Sequence, residues 1–136
     1  MVPKYRCWDE RVGLTEVVSI DFFRKKIKII HWEYGDSNFF PLDEVELMQS
    51  TGLKDKNGVE IFEGDLVKIT VSNGFDYLDG NLTIVKKSDY HAGVICELPS
   101  NNLEYLITDE ADTGYRYEVV GNIYENPELL EQAHEN

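Results

Sequence analysis

The chain is poor in the residues from which catalytic and metal-binding motifs are built. Its 136 residues include two cysteines, three histidines and four prolines. Cys7 and Cys96 lie far apart with no CxxC spacing, which excludes a sequence-encoded metal knuckle or dithiol motif, and they read as buried reduced thiols. His31, His91 and His134 stand at neither HxH nor HxxxH spacing, so the chain carries no zinc-binding pattern. It also lacks GxSxG, a Walker-type loop and GxGxxG, and with them motif support for a nucleophile elbow, a nucleotide phosphate cradle or a dinucleotide site. No apolar run approaches the roughly 20 residues of a membrane helix. The charged start Lys4, Arg6, Asp9, Glu10, Arg11 is not that of a signal peptide, so the expected location is the cytoplasm, without membrane association.

What is present suits a packed β domain. The 42% hydrophobic and 12% aromatic content supports a core along most of the length, and 136 residues fit one domain over 1–136. The net charge is −13 and unevenly placed: residues 1–28 hold seven Lys/Arg against four Asp/Glu, whereas residues 29–136 hold six against 22. Such acidity disfavours direct nucleic-acid binding, because phosphate affinity comes from basic residues that displace counterions. Arg24, Lys25, Lys26 and Lys28 form the only basic cluster. It reads as a solvated turn and strand face, or as a contact for an acidic partner or for this protein's own acidic half.

Short apolar runs separated by turns recur along the chain. Residues 4–12 predict a strand ending near Asp9-Glu10, Leu14 to Phe23 alternates poorly, and Lys26 to Trp32 has period-two character with lysines outward. Tyr34–Asn38 is a loop by composition. From Pro41 to Gln49 a strand leading into the centre of the chain is preferred to a helix starting at Pro41. That central stretch, Leu47 to Lys68, holds the strongest turn signals. Asn57-Gly58 predicts a type I′ hairpin between Leu53 and Val59/Ile61, and Glu63-Gly64-Asp65 a sharp turn before the strand Leu66–Val71. Strands are expected at Leu82–Lys87, from His91 to Leu98, at Leu103–Ile107 and from Tyr115 to Gly121, with loops at Asn73–Asn81, Pro99–Asn102 and Thr108–Gly114. A terminal helix of about 127–134 follows, with Asn126 as its cap and Pro127 in its first position. Regular short strands with one helix indicate a mainly β fold, a barrel or sandwich, with the barrel core over about 45–125.

With Asp55 in the first place of a calcium loop, Glu60 and Leu66 fall where such a loop needs Gly and a bidentate Glu, so the match fails. Glu63 and Asp65 flank Gly64 in a turn, where carboxylates accept backbone hydrogen bonds. The residues singled out, Asn57, Gly58, Glu63, Gly64, Asp65, Gly121, Asn126 and Pro127, are therefore structural turn and cap residues; none is assigned as catalytic, cofactor-binding or metal-binding, and no cofactor is expected.

Two segments, Met48 to Val67 and Val119 to Leu130, resemble the signatures of the YopX family, and Tyr5-Arg6-Cys7-Trp8-Asp9 is similar to that family's start, with Cys7 where the family usually has Ala. The resemblance implies a protein of bacteriophages and prophages with a β-rich fold containing an SH3-like barrel, and it implies no mechanism. The functional expectation is a noncatalytic module that binds a host or phage protein. The alternatives are an acidic nucleic-acid mimic aimed at a host DNA-binding protein, or a small enzyme whose site is assembled from distant residues. Tyr115, Tyr117 and Tyr124 leave room for a homo-oligomeric interface.

Overall fold

The computed structural model describes residues 4–29, 39–71, 81–88, 94–99, 103–107 and 115–135. Within them run β1 (Tyr5–Asp9), β2 (Gly13–Asp21), β3 (Lys26–Ile29), β4 (Phe39–Pro41), a 3-10 turn (Leu42–Glu44), β5 (Glu46–Lys54), β6 (Glu60–Phe62), β7 (Asp65–Val71), β8 (Leu82–Lys87), β9 (Val94–Glu97), β10 (Glu104–Leu106), β11 (Tyr115–Asn122) and helix α1 (Pro127–Glu135). The expected loops at 34–38, 73–80, 100–102 and 108–114 lie outside the described residues, as do His31, His91 and the side chain of His134. The chain divides into two compact units, Met1–Ser50 and Thr51–Asn136.

In the first unit the antiparallel strand order is β4-β3-β2-β1-β5. β1 is the seam, pairing Cys7 with Thr15 of β2 and with Leu47 of β5. Alternation directs Ile27 and Ile29 of β3 inward, where they meet Cys7, Phe40 and Val45, with Val17, Ile20 and Leu47 at the margin. Each fully buried aliphatic side chain contributes about 2 kcal/mol through removal from water. The poor alternation of Leu14 to Phe23 has a cause: β2 shifts register against β3 between Val17 and Ser19, a bulge that leaves Val18 exposed and interrupts the period of two. Between Pro41 and Gln49 both readings occur in part. Leu42–Glu44 make one 3-10 turn, and the strand begins at Glu46.

In the second unit β5 continues past Ser50 beside β6, and a five-stranded antiparallel sheet has the order β10-β9-β8-β7-β11. Val67, Ile69, Val85, Cys96, Leu98 and Tyr117 form its core together with Ile61 of β6. Thr83 is buried among them because its hydroxyl donates to the Val67 carbonyl at 2.9 Å. The mainly β class and the short C-terminal helix are as expected from the sequence. The closed SH3-like barrel is not seen: β10 and β11 lie at opposite edges of the strand order, and no pairing among the described residues joins them.

Candidate functional site

The turn residues prominent in the sequence converge in the second unit. At the β5–β6 hairpin the Gly58 N–H donates to the Asp55 carbonyl at 3.0 Å and the Asp55 N–H donates to the Val59 carbonyl at 2.7 Å. Gly58 sits at φ +80, whereas Lys25 is the only described non-glycine residue with positive φ, so Asn57 is not left-handed. The expected type I′ turn is therefore corrected to a turn whose single left-handed position is Gly58. The reason is the Asp55 side chain, whose Oδ1 accepts from the N–H groups of Asn57 and Val59, both at 2.8 Å, and so holds Asn57 in a local Asx turn. Oδ2 accepts from the Val119 N–H of β11 at 2.9 Å, and the Lys56 N–H donates to the Tyr117 carbonyl. Burial pushes the Asp55 carboxyl up, yet the N–H groups of Val119, Val59 and Asn57 outweigh it and hold the carboxyl below its ordinary range.

The second turn is tied to the same strand. Gly64, at φ +86, donates its N–H to the Val85 carbonyl at 2.7 Å and accepts from Ile123 N–H at 2.9 Å. Asp65 is buried, and its Oδ2 accepts from the Phe62 N–H at 2.8 Å, spanning the turn at Glu63. Opposite Asp65 in the β7–β11 register stands Asn122, whose Oδ1 accepts from Tyr124 and Glu125 N–H and whose amide donates to Glu125. Pro127 begins the helix, but the Asn126 side chain does not reach into its first turn. Its Oδ1 instead accepts from the Asn122 N–H at 3.1 Å, a correction to the expected side-chain cap. Gly121 has a steric cause: a Cβ there would lie 2.7 Å from Asn126 Cγ. The two segments that resemble family signatures thus form one knot of strand ends and turns.

Other polar side chains serve similar local ends. In the first unit Asp9 is gripped by Arg11, with Nε to Oδ1 at 2.7 Å and Nη2 to Oδ2 at 2.8 Å, while the guanidinium lies 4.5 Å from the Phe40 ring centroid. The Arg11 side chain holds the Asp9 carboxyl below its usual range. Burial pushes the Cys7 and Cys96 thiols up to about 11, with the Asp9 carboxylate adding to the effect at Cys7, so both stay protonated at neutral pH. On the second sheet Lys86 Nζ donates to the buried Glu97 at 3.1 Å, and Ser88 donates to Glu104 at 2.5 Å. Among the described residues no three His, Cys, Asp or Glu side chains group as a metal site.

One surface feature stands apart. The β2–β3 turn runs Asp21-Phe22-Phe23-Arg24-Lys25-Lys26, and Phe22 and Phe23 are 68% and 94% exposed at its tip. Asp21 Oδ1 accepts from the Arg24 N–H at 2.9 Å, and Arg24 Nη1 lies 3.6 Å from Asp21 Oδ2. Behind the tip, Lys26 and Lys28 share the outer strand face with Phe39, itself half exposed and 5.7 Å from Lys28 Nζ by its ring centroid. The charge pattern of the sequence marks the cations but not the exposure of the aromatics. The available signal was Phe-Phe directly before Arg-Lys-Lys, at the end of a run too irregular to bury both rings.

These features define an antiparallel β protein whose diagnostic turns are tied by side chain to backbone, with an aromatic and basic hairpin tip in its first unit. The family model described as YopX protein matches residues 4–131, and the chain belongs to the YopX family. Two solved structures resemble it along nearly their whole length. Protein EF1440 from Enterococcus faecalis is 26% identical with a TM-score of 0.59, covering 96% of this chain and 99% of that one. Protein YopX from Bacillus subtilis is 21% identical with a TM-score of 0.56, covering 93% of this chain and 96% of that one, a likeness of fold. Comparison with curated proteins gives no match.

Proposed function

We propose that this protein is a noncatalytic protein-binding module of phage or prophage origin, working in the bacterial cytoplasm and engaging its partner through the β2–β3 tip. The observation that carries the reading is the pair Phe22 and Phe23, placed in water beside Arg24, Lys25 and Lys26. Exposed aromatics next to cations are the residue types that dominate binding energy when a partner covers them. The residues of the family signatures support the reading from the other side, since their polar groups are engaged with backbone in the knot. Acidic mimicry has less support: Asp9, Asp55, Asp65, Glu97 and Glu118 are turned to cations or backbone N–H groups within the chain, not set out as one open carboxylate face.

The test is a photo-crosslinking amino acid in place of Phe23, introduced in a bacterial cell that carries the gene. A discrete protein is expected to cross-link at position 23, and that protein, once purified, binds the wild-type chain and loses binding to Phe22→Ser/Phe23→Ser. No cross-linked protein from a folded chain at physiological salt overturns the proposal.

A further inference from the structure

We infer that the β2–β3 tip seats in an apolar recess rimmed by Asp and Glu carboxylates on a folded partner protein; the inference rests on the protein-binding reading and names the chemistry of its partner. Charge complementarity selects that chemistry. Lys25 and Lys26 are exposed and Lys28 is half-buried, and among the described residues no carboxylate pairs with any of them. Asp21 stands opposite Lys26 in the strand register, yet its carboxylate is turned to Arg24. Elsewhere the chain does match cation to acid: Arg11 holds Asp9, Lys56 lies 3.5 Å from Glu118 and Lys86 lies 3.1 Å from Glu97. In a chain with 26 acidic and 13 basic residues, lysines without counter-charge beside two phenylalanines in water form a surface suited to carboxylates from outside.

The outer face of the hairpin extends the pattern behind the tip. Lys26 stands opposite Pro41 and Lys28 opposite Phe39, while Ile27 and Phe40 between them are buried in the core. The two lysines are therefore about 7 Å apart along β3, each beside an apolar neighbour, with Phe22 and Phe23 ahead of them. An apolar floor takes the rings and an acidic rim takes the lysines. Residues 29–136 hold 22 acidic against six basic residues, so an extended polyanion such as an anionic bilayer or a nucleic acid repels most of the chain. A carboxylate rim confined to the footprint of the tip does not, because charge beyond about 8 Å is screened at physiological salt. A second copy is a poorer fit, since Asp9, Asp55, Asp65, Glu97 and Glu118 are already held by cations or backbone N–H groups.

The test uses the full chain and the protein captured by the photo-crosslinker at position 23. A water-soluble carbodiimide, which joins a carboxylate to an amine only where the two are in contact, is expected to link Lys25, Lys26 or Lys28 to an Asp or Glu of that protein, read by mass spectrometry of the linked peptides. Lys25→Gln/Lys26→Gln, at exposed positions, weakens binding about tenfold or more at physiological salt, and Phe22→Ser/Phe23→Ser about a hundredfold or more. Lysine in place of the mapped carboxylate weakens the wild-type complex, and Lys26→Glu recovers part of that loss, a rescue that a merely structural role of Lys26 does not give. If the serine pair abolishes binding while the glutamine pair leaves it unchanged and no lysine is linked, the acidic-rim inference fails and the proposed binding function stands. Capture of a second copy of this chain also overturns the inference. Binding of the tip to phosphatidylglycerol vesicles or single-stranded DNA, with no protein captured, overturns the inference and the protein-binding reading together.

Discussion

Two hairpins, one in each unit, start from the same turn chemistry and end differently. Asp21 opens the β2–β3 turn and Asp55 the β5–β6 turn; each directs Oδ1 to a backbone N–H two to four residues on, and each turn has one left-handed residue, Lys25 at φ 55 and Gly58 at φ +80. Asp55 is buried, accepts a further N–H from Val119 and lies between two strands. Asp21 keeps 43% of its side chain in water and, among the described residues, pairs with Arg24. The difference shows what the third hydrogen bond does. With it an Asx turn becomes a tie between distant segments; without it the turn is a mount for whatever side chains stand at its tip, here two phenylalanines.

Removing the carboxylates separates the two roles most sharply. Asp55→Ala leaves the N–H groups of Asn57, Val59 and Val119 without their acceptor in a part-buried site, at a cost of about 2 kcal/mol. Asp21→Ala at the exposed turn is expected to cost less than about 1 kcal/mol. Urea unfolding followed by far-UV circular dichroism reads both as shifts in midpoint at constant slope. Equal shifts would erase the distinction between tie and mount.

The knot around Asn122 gives the next effect. Gly121→Ala places a methyl group against Asn126 Cγ, so the Asn126 side chain must swing away and release the Asn122 N–H; a loss of about 2 kcal/mol is expected. The same substitution at Gly58 meets open space and costs only the strain of its left-handed backbone, about 1 kcal/mol. Finding Gly58→Ala the worse of the two would place the knot's sensitivity in the turn and not in the Asn126 contact.

Acid probes the ties together. The folded pKa values of Asp55 and Asp9 lie below the unfolded value of about 3.9, so the stabilisation they provide is fully present above that value and is lost as pH falls through their folded values. Stability measured by urea unfolding is therefore expected to drop as pH falls below about 4, with a shallower drop in Asp55→Ala. An unchanged slope in that variant would mean that Asp55 contributes nothing to acid sensitivity.

Much of the fold was legible in the sequence because its determinants are local. Alternation marked β3, β7 and β8, glycine marked the turns at Gly58 and Gly64, and Pro127 marked the start of the helix. What escaped depends on partners far along the chain. The role of Asp55 requires Val119, 64 residues away, and the use of Asn126 is set by a strand end upstream of it. β2 was obscured by its bulge at Val18. The exposure of Phe22 and Phe23 is set by the hairpin geometry, which carries both rings outward and which the irregular alternation before them does not specify.

The smallest predicted effect concerns Lys25. A non-glycine residue at φ 55 carries local strain that glycine relieves, while glycine adds freedom to the unfolded chain, so Lys25→Gly is expected to change stability by less than about 1 kcal/mol in either direction. Phe22→Ser/Phe23→Ser is likewise expected to stay within about 0.5 kcal/mol, since neither ring is buried. Thermal unfolding of the two variants beside the wild type, each purified alone, measures the mount without its partner. A loss of several degrees in the phenylalanine variant would show that the rings pack within the chain, and would return them from the interaction surface to the core.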